Sequence, residues 1–221
     1  MKAALVVFGF LSIIFSLGLS APRFRVDQVR DSLGNAVFPG MSYYIVPYDQ
    51  PGGGIKLDNL GQAYECPVTF LQDYTRKFRG VALQFKVHGI TIGPGLIFTG
   101  SGSPLLVKVT QGQKPFCASS DEVVMYLSKK INKICLGIGG PEDHYYSPTF
   151  NGRFHFEQPD IPYAYYLVFC HSDAPENCTA LGRFDNHEGG SRLVFADNDT
   201  KPIKFLLVNT LDKPPPTNVK N

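Results

Sequence analysis

The segment Tyr43–Gly54, YYIVPYDQPGGG, sets an aromatic and β-branched run against a breaker that ends in three consecutive glycines. Tyr, Ile and Val suit the pleated, half-buried surface of a strand, and the proline and glycines close it with a turn. The same unit returns at Leu105–Val109 (LLVKV) and at Tyr165–Phe169 (YYLVF). The three runs lie at intervals of about 60 residues, a spacing that marks structural repeats. With 22 glycines and 17 prolines in 221 residues, the composition fits a closed barrel or a sandwich. Closure by three similar units favours the β-trefoil, so the expected class is all-β: three pseudo-repeats, a closed barrel and a hairpin cap. Helical evidence is thin. Glu122–Asn132 (EVVMYLSKKIN) is the best helix candidate, and it reads also as a strand with a lysine-rich exit.

Outside this unit the two ends differ in kind. Lys2 precedes an apolar run from Ala3 to Leu19 and small residues at Ser20 and Ala21, the pattern of a secretory signal peptide over 1–20. One domain then spans 21–211, and the proline-rich polar tail 212–221 is expected to be disordered. No later stretch is long enough to cross a bilayer, so no membrane partner is expected. An exported chain meets an oxidising compartment, and the five cysteines should form disulfides with at least one thiol left over. Cys170 and Cys178 bracket HSDAPEN, a turn-rich segment suited to a hairpin staple. No C-x-x-C spacing occurs, which argues against a zinc site.

Other function classes find little support. The formal charge of +2 is mild, and the scattered Lys and Arg argue against nucleic acid as a partner. The five histidines show no H-x-H or H-E-x-x-H spacing and read as surface or turn residues, and no G-x-S-x-G elbow is present, so an enzyme is not expected. Glycine-rich Gly93–Gly102 lacks the G-K-[ST] ending of a phosphate loop. No metal and no organic cofactor are implied, and a monomer is expected. A carbohydrate site on Tyr48, Tyr145 or Tyr146 is a weaker alternative. Asn198-Asp199-Thr200 and Asn177-Cys178-Thr179 are glycosylation sequons, Asn198 in the more polar turn.

The stretch Lys86–Pro104, KVHGITIGPGLIFTGSGSP, mixes apolar strand formers with glycines and one proline. It should leave a strand, run exposed and re-enter a strand. A loop anchored on a rigid β scaffold is a common way to present specificity to a partner.

Several motifs bear on that partner. Val29–Leu57, VRDSLGNAVFPGMSYYIVPYDQPGGGIKL, resembles the amino-terminal signature of the plant Kunitz-type (soybean trypsin inhibitor) family. Cys66-Pro67-Val68-Thr69, Cys117, Tyr165–Cys170 (YYLVFC) with Cys178, and Ser191-Arg192-Leu193-Val194 match further family elements in order. The resemblance covers about Asp27 to Val208. It implies a β-trefoil, the pairs Cys66–Cys117 and Cys170–Cys178, and delivery to the apoplast or the vacuole of a plant, with a role in defence. Cys135 has no counterpart; it reads as a small buried apolar residue, with intermolecular pairing as the alternative.

The resemblance further implies an endopeptidase partner, which a protruding loop enters as a substrate would. Counting back from Ser103-Pro104-Leu105 places Gly95 at P1, Pro94 at P2 and Leu96 at P1′, within a reactive segment Gly93, Pro94, Gly95, Leu96 and Ile97. A trypsin-like pocket carries a buried carboxylate that needs Arg or Lys. None occurs from Gly89 to Val107, and Lys86 and Arg79 are the nearest basic alternatives. In inhibitory relatives an Asn beneath the loop holds it rigid; the matching position here is Pro39, and Asn35 stands at a different spacing. The three glycines of GPGLIFTG also oppose pre-organisation. The expected function is therefore secreted protease inhibition with a non-basic loop, weak or absent on trypsin. A serine protease is the first choice of target and a papain-like cysteine protease, met through another loop, the second. The alternative is a trefoil that has lost inhibition and serves in storage, defence or partner binding.

Overall fold

Burial alternates with period two along the first and fifth strands, Ser42–Pro47 and Leu105–Val109, as a pleated ribbon with one inward face requires. The computed structural model describes residues 26–48, 52–59, 66–75, 80–89 and 95–212; the expected leader and the tail beyond Asp212 lie outside them. β1 (Ser42–Pro47) buries Tyr43 and Ile45, β5 (Leu105–Val109) buries Leu105, Val107 and Val109, and β13 (Lys204–Asn209) buries Phe205 and Leu207. These three strands join β4 (Ala82–Val87), β9 (Gly152–Glu157) and β10 (Ala164–His171) in a ring of antiparallel neighbours. β13 pairs with both β10 and β1, so the ring closes on itself. Closure removes the free edges that an open sheet would expose.

Three hairpins cap one end of this six-stranded barrel. They are β2 (Ile55–Asp58) with β3 (Thr69–Asp73), β6 (Val123–Ser128) with β7 (Lys133–Ile138), and β11 (Cys178–Asp185) with β12 (Gly190–Phe195). β3, β7 and β12 also pair with one another, through Thr69 with Gly137, Val194 with Cys135, and Arg192 with Leu71. A short β8 (Thr149–Phe150) lies against β6. The repeats start at Ser42, Leu105 and Ala164, which is the three-unit spacing read from the sequence, and the fold is a β-trefoil. The helix candidate Glu122–Asn132 is strand β6 and its exit turn, because alternation and pairing with β7 outweigh its helical reading. Among the described residues the only helical element is one 3-10 turn at Pro141–His144.

Aromatic rings fill the barrel. Phe85 meets Phe156 edge-on at 5.1 Å, and Phe154 meets Phe169 likewise at 5.1 Å, offset geometries that add to the area they bury. Two disulfides, Cys66–Cys117 and Cys170–Cys178, close separations of 51 and 8 residues. Loops of those lengths correspond to roughly 4 and 2.5 kcal/mol in the chain-entropy model.

Where the hairpins meet, the interior turns polar. Arg192 is 1% exposed. Its Nε and Nη2 donate to the Glu188 carboxylate at 2.6 and 2.9 Å, Nη1 donates to Ser128 Oγ at 3.0 Å, and Lys130 Nζ reaches Glu188 at 2.7 Å. A buried guanidinium is tolerated only when paired in this way. Burial pushes the Glu188 carboxyl up, but the hydrogen bonds from Arg192 and Lys130 outweigh it and hold the pKa at about 2. Cys135 is fully buried and unpaired beside this network. Burial raises its thiol to about 11. The buried-residue reading of Cys135 holds, and intermolecular pairing through it does not.

Glu188→Gln should cost about 3–5 kcal/mol in urea unfolding, because it leaves the Arg192 charge without its partner. The depressed carboxyl contributes stability in full above its ordinary value of 4.5, and that contribution is lost as the pH falls toward about 2. The variant should therefore lack this part of the acid sensitivity in a pH series of melting curves. A thiol reagent should fail to label the native protein and should label one cysteine per chain, Cys135, once guanidinium unfolds it without reductant.

Candidate functional site

Val87 and Leu105 are register partners on β4 and β5, so the ends of the intervening loop are pinned one strand spacing apart. His88 N donates to Pro104 O at 2.8 Å and extends the ladder by one step. Gly89 then takes φ +83°, a backbone region that a side chain would strain, and the chain departs from the sheet. Gly93 and Pro94 of the predicted reactive segment lie outside the described residues. Gly95 and Leu96 are half-buried.

Ile97 is a different kind of residue. The sequence places it among the contact positions, yet it is 0% exposed and belongs to the main hydrophobic core. Its side chain anchors the loop and cannot reach a protease. The reason lies in the amino-terminal arm, which runs antiparallel to this limb. Val29 N donates to Ile97 O at 2.8 Å, Gln28 bridges Phe98, and Thr99 N donates to Asp27 O at 2.9 Å. Asp27 N returns a hydrogen bond to Thr99 Oγ1 at 3.0 Å. On the other side Gly100 N donates to Phe156 O at 2.8 Å, and Phe98 N reaches Ser103 Oγ at 3.3 Å.

The arm is itself held by a local device. Asp31, 1% exposed, accepts from Leu33 N and Asn35 N at 2.9 Å each, and Asn35 Nδ2 donates to its other oxygen at 3.2 Å. This is the side-chain turn that Asp favours. It occupies the Asn35 amide, so Asn35 does not support the loop, and Pro39 has no side-chain donor to do so. Backbone pairing with the arm takes over the function for which the sequence offered no residue. Periodicity could not show this, because an extended arm carries no record of which segment it will pair with. The Asp-Ser-Leu-Gly-Asn turn signal was the available clue.

The charge pattern is equally specific. Gly89–Val107 contains no acidic, basic or histidine side chain. Lys86, one of the two basic alternatives, is an exposed residue of β4 opposite Leu106 and so sits in the sheet below the loop. Arg79 lies outside the described residues. Another loop follows β5, where Phe116 is wholly exposed beside Cys117. Ala118 N donates to Pro115 O at 3.1 Å, so the backbone there is turned and not extended.

The remaining candidates fall elsewhere. Two of the five histidines are buried, against the surface reading. His144 stacks on Tyr126 at 3.8 Å, and burial lowers its pKa to about 4, which keeps it neutral. His155 is 3% exposed and contacts Cys170. Tyr48, Tyr145 and Tyr146 are exposed; the latter two take positive φ and border a depression with Glu142 and Asp143 beside the Cys66–Cys117 bridge. Asn177 and Asn198 are both exposed.

This architecture has close parallels. Residues 29–206 match the legume Kunitz family model, described as trypsin and protease inhibitor. The subtilisin inhibitor CLSI-II of Canavalia lineata is 39% identical over 190 residues, covering 85% of this chain and 95% of that one. Among solved structures, a Kunitz-type trypsin inhibitor from Cicer arietinum is 38% identical, with a TM-score of 0.74 over 83% of this chain and 98% of its own. The soybean trypsin inhibitor in a complex with porcine pancreatic trypsin is 26% identical, with a TM-score of 0.66 over 84% of this chain and all of its own. A family match that runs from the amino-terminal arm into the last barrel strand leaves one assignment: the chain belongs to the legume Kunitz family of trypsin and protease inhibitors.

Proposed function

We propose that the chain inhibits a serine endopeptidase of the subtilisin or elastase kind through Gly93–Leu96, and is weak or inactive on trypsin. The observation that carries this reading is a loop with pinned ends and no ionisable side chain. Pinned ends lower the ordering cost of entering a cleft, and they keep the two sides of a cut bond together so that it can re-form. Gly95 in the S1 pocket suits an enzyme whose pocket is apolar or shallow. In trypsin it would leave the pocket carboxylate buried without a partner, which costs about 3–5 kcal/mol, more than about a hundredfold in affinity. The subtilisin inhibitor of Canavalia lineata among the relatives supports the same choice. The turned backbone at Phe116 does not suit a cleft that takes extended chain, so the loop between β4 and β5 is preferred over it.

The apolar leader supports export to the apoplast or vacuole, the exposed sequons at Asn198 and Asn177 are the glycosylation candidates, and no catalytic role is assigned to any residue. Purified mature protein titrated against subtilisin and trypsin should inhibit subtilisin, with trypsin at least about a hundredfold weaker. Leu96→Pro should abolish the first activity, and Gly95→Arg should raise the second. Strong trypsin inhibition by the unaltered protein would contradict the proposal. Cleavage of the loop by both enzymes without inhibition would favour a scaffold that binds some other partner.

Thr99→Val removes one acceptor from the clamp on the arm and should cost no more than about 1.5 kcal/mol of global stability. The expected effect is on persistence: subtilisin inhibition by the variant fades on incubation as the loop is hydrolysed, while its melting temperature stays near that of the parent.

A further inference from the structure

The buried histidine of β9 faces the only cross-strand pair of sulfurs among the described residues. His155 Nδ1 lies 3.3 Å from Cys170 Sγ, and its Nε2 lies 3.1 Å from Glu157 Oε1. A carboxylate only accepts, so Nε2 carries a hydrogen, and in the neutral ring Nδ1 then turns its lone pair to the sulfur. Cys178 stands directly opposite Cys170 across β10 and β11. The ligand atoms of all three residues lie within 4.8 Å of one another. His155, Glu157 and Cys178 also line the broad cleft beside the amino-terminal arm, so the cluster has a path to solvent.

We propose that reduction of Cys170–Cys178 opens a binding site for a thiophilic divalent cation, Zn2+ by its chemistry, held by both thiolates and His155 Nδ1. Two sulfurs and one imidazole are the donors that Zn2+ prefers, with a fourth position left for water. The hydrogen bond from the far ring nitrogen to a carboxylate is the support that fixes the tautomer and orientation of a metal-bound histidine. In the oxidised protein the sulfurs are bonded to each other and the site is latent. A dithiol reductant supplies two electrons and two protons: its thiolate attacks the exposed Cys178 sulfur, the bond to Cys170 breaks, and the second thiol of the reductant closes its own disulfide. The cation then displaces the two thiol protons and forms a neutral centre. The reduced protein thus regains across β10 and β11 the tie that the disulfide provided.

The test uses the mature protein, treated with dithiothreitol, freed of it by gel filtration without oxygen, and titrated with Co2+ as a coloured probe. One Co2+ per chain should bind with thiolate-to-cobalt absorption, and Zn2+ should displace it. The oxidised protein should show no such band. His155→Leu should weaken binding by at least about tenfold, while Cys66→Ser with Cys117→Ser should leave the band in place. Added Zn2+ should raise the melting temperature of the reduced protein but not that of the reduced His155→Leu variant. Absence of the band, equal binding by His155→Leu, loss of the band with Cys66 and Cys117, or a melting temperature that ignores Zn2+ would each overturn the proposal.

Discussion

Closure of the barrel is the constraint on which the other features rest. β13 pairs with β10 on one side and β1 on the other, so no barrel strand can shift register without disturbing two neighbours. The inward faces then meet as aromatic and branched layers. Outward connections, by contrast, are free to vary in sequence without cost to that core. The loop between β4 and β5 inherits its fixed ends from this arrangement, because Val87 and Leu105 are held opposite each other before the loop begins.

The loop divides into two parts with different chemistry. Its return limb, from Ile97 to Ser103, is part of the fold: a core side chain, backbone pairs with the arm and a hydrogen bond to β9 hold it. The segment before it, from Gly89 to Leu96, carries no charged side chain. The return limb is therefore held from outside the loop's own sequence, from Asp31 through the arm to Ile97. That explains how three glycines and the absence of a supporting Asn are compatible with fixed ends. At the cap, where three hairpins meet, the buried Arg192 and the half-buried Glu188 tie the elements together in a parallel way.

The three repeats were legible because each begins with an apolar, aromatic or β-branched run that stops at turn residues, and that local signal matches what the barrel needs. The Cys66–Cys117 pair was legible only through the family resemblance, whereas the turn-rich HSDAPEN between Cys170 and Cys178 already suggested their pairing. Ile97 was misplaced because apolar residues in a glycine-rich stretch look alike whether they face a partner or the core; only the arm's pairing distinguishes them. Glu188 and Arg192 were invisible as a pair, since charge in a sequence is ordinarily read as surface. His155 was read as a surface residue because its neighbours, Cys170 and Cys178, come from other strands.

The proposed contact is between a neutral segment ahead of Ile97 and a protease that meets it as it would a substrate. Its most direct test is to isolate the subtilisin complex, dissociate it in acid and sequence any new amino terminus in the inhibitor. The account predicts a single partial cut at Gly95–Leu96, within the segment ahead of Ile97, in an otherwise intact chain. A cut elsewhere, such as at Phe116 or after Lys86, would contradict it.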